Sequence, residues 1–285
     1  MLSRPADLSA DDIRDALAEG WGISAEALDY RAVGFGSHHW AAGEWFVTAD
    51  RAGPGLEPAL RTAAALREAG LEFVVAPVLT RAGRATQPAG EGYLLSVYPY
   101  VDGRAGDFGP HRPGDRDEVH AMLARLHASP APPGIEPLDL DLPLGAELER
   151  ARRAAGAGPY GQRAHDLLTA RGAMIDDLLA EYGRLRETLP PSGAWVVTHG
   201  EPHPGNVLRT PDGLRLVDWD TVRLAPAGRD LWLVDDGPAY GFFRLRWRLA
   251  DIASFARDLS VPHAETADTS AAFGYLQGCL SPGGA

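Results

Sequence analysis

No lysine occurs in the 285 residues: all 27 basic side chains are arginine, set against 39 aspartates and glutamates. The chain has guanidinium forks but no side-chain amine with which to hold an anion. A formal charge of −12 argues against a nucleic-acid partner, which would ask for a basic face, and suits attraction of a cationic small molecule. Cysteine is nearly missing too. Cys279 stands alone, so no disulfide can form within the chain, and a reducing, cytoplasmic setting is expected. No apolar run approaches the roughly 18 residues of a membrane span, so no membrane association is expected. The first 20 residues carry Asp7, Asp11, Asp12, Asp15 and Glu19 where a signal peptide would have a basic start and an apolar core. Ser9 and Asp12 read instead as a capping pair opening a short helix. With 45 % hydrophobic and 23 % charged residues the chain has the composition of a folded globular protein, long enough for one large or two modest domains.

Chemistry is concentrated in Val196 to Asp220, VVTHGEPHPGNVLRTPDGLRLVDWD. Val196–Thr198, Val207–Arg209 and Leu214–Val217 read as short strands, and Pro211-Asp212-Gly213 has the composition of a hairpin turn. The strand ends then gather Glu201, Asn206 and Asp218. Magnesium takes hard oxygen ligands, one or two from side chains and the rest from water and phosphates, and Asn206 with Asp218 meets that demand. Glu201 remains as a candidate base. His199, Glu201 and His203 also alternate, a spacing that on a strand could ligate zinc or iron. Pro202, Pro204 and Gly205 suit a loop better than a strand, and there His199 would hold the loop by hydrogen bonds.

The remaining pattern predicts an α+β chain of two lobes. Strand signals at Tyr30–Val33, Trp45–Ala49, Val74–Leu79 and Tyr93–Tyr98, with a helix at Pro58–Ala69, make residues 1–102 a small β-rich lobe. Residues 103–285 form a larger lobe of helices at Arg116–Ala128, Ala164–Thr188, Tyr240–Leu259 and Thr266–Leu280, with Pro130–Pro143 as a loop.

His-Gly-Glu-Pro-His-Pro-Gly-Asn followed by Val-Asp-Trp-Asp resembles the catalytic and metal loops of the aminoglycoside phosphotransferase family, whose fold is that of protein kinases. The resemblance implies ATP or GTP with Mg2+, bound between the lobes, and phosphoryl transfer to a small hydroxylated substrate. It makes Glu201 the catalytic carboxylate, His199 the loop histidine, and Asn206 and Asp218 the metal ligands. The family's usual residue at the Glu201 position is Asp, so the glutamate adds a methylene between backbone and charge. Order along the chain extends the match. The turn around Gly34, Gly36, Ser37 and His38 resembles the nucleotide-covering hairpin. Tyr93 to Tyr100, running into Val101-Asp102-Gly103, resembles the strand and hinge that link the lobes and present backbone groups to adenine, with Tyr98 and Tyr100 among its residues. Asp230 in Pro-Ala-Gly-Arg-Asp-Leu falls where an aspartate braces the catalytic loop. Asp235, Asp236 and Tyr240 are acceptor-site candidates. The family lysine on the third strand falls at Thr48, so an arginine from the following helix, Arg61 before Arg67, is expected to hold the phosphates. The implied acceptor is a cationic natural product such as an aminoglycoside-like antibiotic. A metabolite alcohol such as choline or a sugar, or a kinase-like binding protein without catalysis, are the alternatives.

Overall fold

The computed structural model describes residues 1–34, 36–107, 109–235 and 240–281. The chain folds as two compact units, Met1–Leu138 with Pro191–Asp236, and Asp139–Pro190 with Gly237–Ala285. The N-terminal sheet and the Val196–Asp220 segment both belong to the first unit.

That first unit opens with α1 (Ala10–Trp21), started by the Ser9–Asp12 capping box and stopped by Gly22 in the left-handed region at φ 72°. A fully antiparallel five-stranded sheet follows in the order β1-β2-β3-β5-β4. Its strands are β1 (Asp29–Arg31), β2 (His38–Ala42), β3 (Trp45–Arg51), β4 (Gln87–Ala89) and β5 (Tyr93–Pro99). Alternation sorts the side chains of β3 and β5. Val47, Ala49, Leu95 and Val97 join Trp40 and the α1 residues Ile13 and Leu17 in one core, leaving Phe46, Thr48, Asp50, Ser96 and Tyr98 on the opposite face. Helix α2 (Leu56–Glu68) sends Glu57 to the loop before β4, where its carboxylate accepts from Ala85 N–H (2.8 Å) and Thr86 Oγ (2.6 Å).

Below the sheet a second core joins α2, α3 (Arg116–His127) and the strands of the 196–225 region, centred on Trp219, Leu216, Leu123 and Leu126. Those strands form two small ladders, β6 (Val196–Thr198) with β9 (Arg223–Ala225), and β7 (Val207–Thr210) with β8 (Gly213–Leu216). The expected strand at Val74–Leu79 is not formed. Val74 makes an isolated bridge to Leu216, and farther on Val78 N–H donates to the Val97 carbonyl (2.7 Å) without a ladder forming.

The second unit is helical: α4 (Gly145–Arg153), α5 (Gly161–Ala170), α6 (Gly172–Arg186), α8 (Gly241–Ser260) and α9 (Ala267–Cys279) enclose Leu148, Leu168, Ile175, Ile252, Phe273 and Leu276. The single helix expected over Ala164–Thr188 is two, broken at Arg171 before the glycine that opens α6. Four-residue α7 (Gly228–Leu231) belongs to the first unit. Among the described residues no helix is long and apolar enough to cross a membrane.

Candidate active site

The loop between β6 and β7 is pinned at nearly every backbone polar group. Asp230, fully buried on α7, accepts from His199 N–H (3.1 Å) and Gly200 N–H (2.6 Å). Thr221 Oγ donates to the His199 carbonyl (2.7 Å), and Asn206 Nδ2 donates to the Glu201 carbonyl (3.0 Å). Gly200 takes φ 103° and has Arg229 packed where a side chain would begin. Arg229 itself donates to Thr198 Oγ (2.9 Å) and the Thr221 carbonyl (2.8 Å).

His199 is fully buried with both ring nitrogens engaged: Glu201 N–H donates to Nδ1 (3.1 Å), so Nε2 carries the proton and donates to the Val217 carbonyl (2.9 Å). Burial depresses its pKa to about 4 against the pull of Asp230, which keeps the ring neutral. The ring stands edge-on to Trp219 at 4.7 Å. No lone pair is left for a metal, so the zinc or iron alternative for His199, Glu201 and His203 is set aside. Among the described residues no cluster of three or more His, Cys, Asp or Glu is placed to hold a metal ion by itself.

The β7–β8 hairpin brings Asn206 and Asp218 together, because Val217 N–H donates to the Asn206 carbonyl (3.0 Å). Asp218 adopts φ 68°, a left-handed conformation that aspartate tolerates better than most residues. Asp218 and Asp220 both keep solvent-accessible surface while standing among other carboxylates. Enclosure by protein raises the pKa of Asp218, against hydrogen bonds from Asp220 and Asn206. Enclosure and then the charges of Asp218, Glu201 and Asp50 raise Asp220 well above its ordinary value, with Arg223 opposing. Because each carboxylate still meets solvent, the mutual repulsion is the part that a cation would relieve. The donor set fits magnesium by residue type, a carboxylate and an amide on one hairpin: Asn206 Nδ2 donates to the Glu201 carbonyl, and the Asn206 side chain hydrogen-bonds that of Asp218.

The sheet face above this segment carries several predicted nucleotide residues and displaces others. Gly34 and Gly36 take φ 68° and 97°, the backbone of a tight turn that glycine permits; Phe35 between them lies outside the described residues. The Met1 amino group donates to the carbonyls of Val33 (3.1 Å), Gly34 (3.0 Å) and Ser37 (2.8 Å). Ser37 Oγ donates to Asp50, whose carboxyl is raised to about 6 by burial, with Asp218 adding to the shift. Tyr98 faces the same side, its hydroxyl pKa pushed up by burial and by Asp50, Asp218 and Asp220. Tyr100 is exposed, and its N–H is bonded to the Glu44 carbonyl (2.8 Å), so that donor is not available to a base.

Two residues expected at the nucleotide have other partners in the structure. His38 points to the opposite face of the sheet, with Nδ1 3.1 Å from the Tyr30 hydroxyl and its ring among Trp40 and Tyr93. Its neighbour His39 has the orientation expected of it, 3.2 Å from Thr48 Oγ and stacked on Phe46 at 5.3 Å. A one-residue shift along a strand exchanges faces, and the register of β2 is set by Trp40 entering the core. Arg61 is exposed and donates to the Gly83 carbonyl (2.8 Å), while exposed Arg67 donates to the Glu72 carbonyl. Both are helix-surface arginines, whereas the charge of Arg223 acts on Asp220 in the carboxylate cluster. Of the acceptor candidates, Asp235 pairs with His120 (3.1 Å), Tyr240 precedes α8, and Asp236 lies outside the described residues.

His127 escaped the sequence reading. From the last turn of α3 its Nε2 lies 2.8 Å from Asp230 Oδ2. The signal available was a histidine closing an apolar helix stripe, which by itself reads as core. Burial pushes the Asp230 carboxyl up, but the hydrogen bond and charge of His127, with Arg229 and His199, prevail and hold it below the ordinary carboxylate value. A carboxylate depressed in the folded state contributes stability above its unfolded pKa and loses it as pH falls through the folded value. His127→Ala, which strips a partner from a buried charge, is expected to lower stability by about 3 kcal/mol or more at pH 7. Denaturant titration is expected to show the gap between parent and variant closing toward pH 3, and an equal gap at both pH values would contradict the pairing.

The profile of the phosphotransferase enzyme family matches residues 37–240. The protein StrN of Streptomyces griseus is 29 % identical over 277 residues, covering 86 % of this chain and 83 % of that protein. The structure of a spectinomycin phosphotransferase in complex with ADP and spectinomycin superposes with a TM-score of 0.73 at 17 % identity, covering 96 % of this chain and 95 % of that one. An amicoumacin kinase in complex with AMP-PNP, Ca2+ and Ami gives 0.59 at 12 % identity, covering 96 % and 94 %. At these identities the structural likenesses establish the two-lobed kinase-like fold.

Proposed function

We propose, from the premise that this chain belongs to the phosphotransferase enzyme family, that it transfers the γ-phosphoryl group of ATP or GTP to a hydroxyl of a small cationic natural product. An aminoglycoside-like antibiotic is the acceptor the reading favours. The observation that carries it is the convergence of Glu201, Asn206 and Asp218: Asn206 donates to the Glu201 carbonyl and accepts from Val217, the residue before Asp218. Glu201 would accept a hydrogen bond from the acceptor hydroxyl and hold its oxygen in line with the phosphorus. Asn206 and Asp218 would hold magnesium, which when bound neutralises charge on the phosphates. His199 serves by position, since its neutral, doubly bonded ring fixes the backbone on which Glu201 stands. Residues 1–102 would form the nucleotide lobe, with the Gly34–Ser37 turn over the phosphates and Tyr98 lining the cleft. The net charge of −12 and the carboxylates Asp50, Asp218, Asp220 and Glu201 favour a cationic acceptor.

Thermal-shift measurements with ATP and GTP, with and without magnesium, followed by nucleoside-diphosphate release across an acceptor panel, test the reading. Stabilisation that needs both nucleotide and magnesium is expected, with turnover on an aminoglycoside-like antibiotic. Turnover confined to choline or a hexose would reassign the acceptor, and magnesium-independent binding without turnover on any acceptor would identify a binding protein.

A further inference from the structure

The stretch that follows β5 runs along the 199–209 segment and is bonded to it at successive points. Arg104 and Arg209 exchange both backbone hydrogen bonds (3.0 and 2.9 Å), and Gly106 N–H donates to the Pro204 carbonyl (2.9 Å). The approach at Gly106 is close enough that a Cβ there would stand 2.7 Å from the Cβ of Pro204. His111, 4 % exposed, then places Nε2 2.6 Å from the Pro202 carbonyl. A carbonyl can only accept, so Nε2 carries the proton, and burial keeps the ring neutral by lowering its pKa.

This contact completes the accounting around Glu201. Its N–H is taken by His199 Nδ1 and its carbonyl by Asn206; Pro202 has no N–H to satisfy, and its carbonyl is taken by His111. We propose that His111 is a positioning residue for Glu201, fixing the peptide that follows the carboxylate. The glutamate gives that peptide unusual importance. Its carboxylate hangs on one more rotatable bond than an aspartate's, so backbone placement must supply the aim that the side chain lacks, and a misplacement of about 1 Å can cost on the order of a hundredfold in rate. His111 lies about 90 residues before Glu201 in sequence and outside the motif, and no residue pattern singles it out.

The inference rests on Glu201 being the acceptor-orienting carboxylate, and the test separates the two. Turnover and Mg-ATP affinity are measured for His111→Ala, His111→Gln, His111→Asn, Glu201→Ala and the His111→Ala/Glu201→Ala double variant, with an unfolding midpoint for each. His111→Ala is expected to lower kcat by about tenfold while nucleotide affinity changes by less than about twofold. His111→Gln, whose amide nitrogen can donate from the place of Nε2, should recover to within about threefold of the parent, and the shorter His111→Asn should not. In the Glu201→Ala background, removing His111 should cost no further rate, because residues acting through one another are not additive. A full additional loss in the double variant, or Gln and Asn equally impaired, overturns the positioning role. Equal turnover of the parent and Glu201→Ala removes the Glu201 assignment and the role of His111 with it. If His111→Ala does not fold, the Gln and Asn comparison decides.

Discussion

Glu201→Ala is expected to reduce kcat by about a hundredfold or more and to leave Mg-nucleotide affinity nearly unchanged. The size is that of a positioned acid–base group, and the selectivity follows from the carboxylate meeting the acceptor rather than the nucleotide. The backbone at Glu201 is held by His199, Asn206 and the Asp230 brace through groups the substitution does not touch, so the loop should keep its shape. Glu201→Asp should keep measurable activity or improve it, since aspartate is the family's usual residue in this place. Steady-state kinetics with a competent acceptor checks both. If Glu201→Ala turns over at the parental rate, Glu201 has no part in the reaction.

Asp218→Asn is expected to abolish magnesium-dependent nucleotide binding while leaving the unliganded protein folded and no less stable. Of the proposed ligand pair Asp218 is the only anion, and an amide in its place removes the charge that draws a divalent cation. The fold should survive because asparagine adopts the left-handed backbone that Asp218 requires at φ 68°. The substitution also takes one charge from a cluster in which Asp218 raises Asp220, so the apo protein loses a repulsion. Thermal shift with nucleotide, scanned over magnesium, reads both effects. A parental magnesium response in the variant would place the metal elsewhere.

The helices and strands were legible where periodicity and punctuation agreed. Ser9 and Asp12 announced the start of α1, and both form the expected capping box. The strands around Pro211-Asp212-Gly213 form the hairpin read from their turn residues, which is why Asn206 and Asp218 could be paired from sequence. Alternation alone could not tell which of His38 and His39 faces the cleft, since the choice rests on Trp40 fitting against α1. Nor could helix position tell that Arg61 and Arg67 turn to nearby carbonyls, because an exposed arginine takes whatever acceptor lies in reach.

What the sequence by itself determined is the local chemistry: the absence of any amine side chain, the acidic balance, and the order of carboxylates and amide along His199–Asp220, all properties of residue type and short spacing. What only the tertiary structure decided is how those groups are held. Asp230 reaches back 30 residues to Gly200, His127 reaches across 103 to Asp230, and His111 across 91 to Pro202. No local propensity encodes such contacts, because each forms only after the β-ladders and α3 have packed around Trp219 and brought buried hydrogen-bonding groups to the partners that burial obliges them to find.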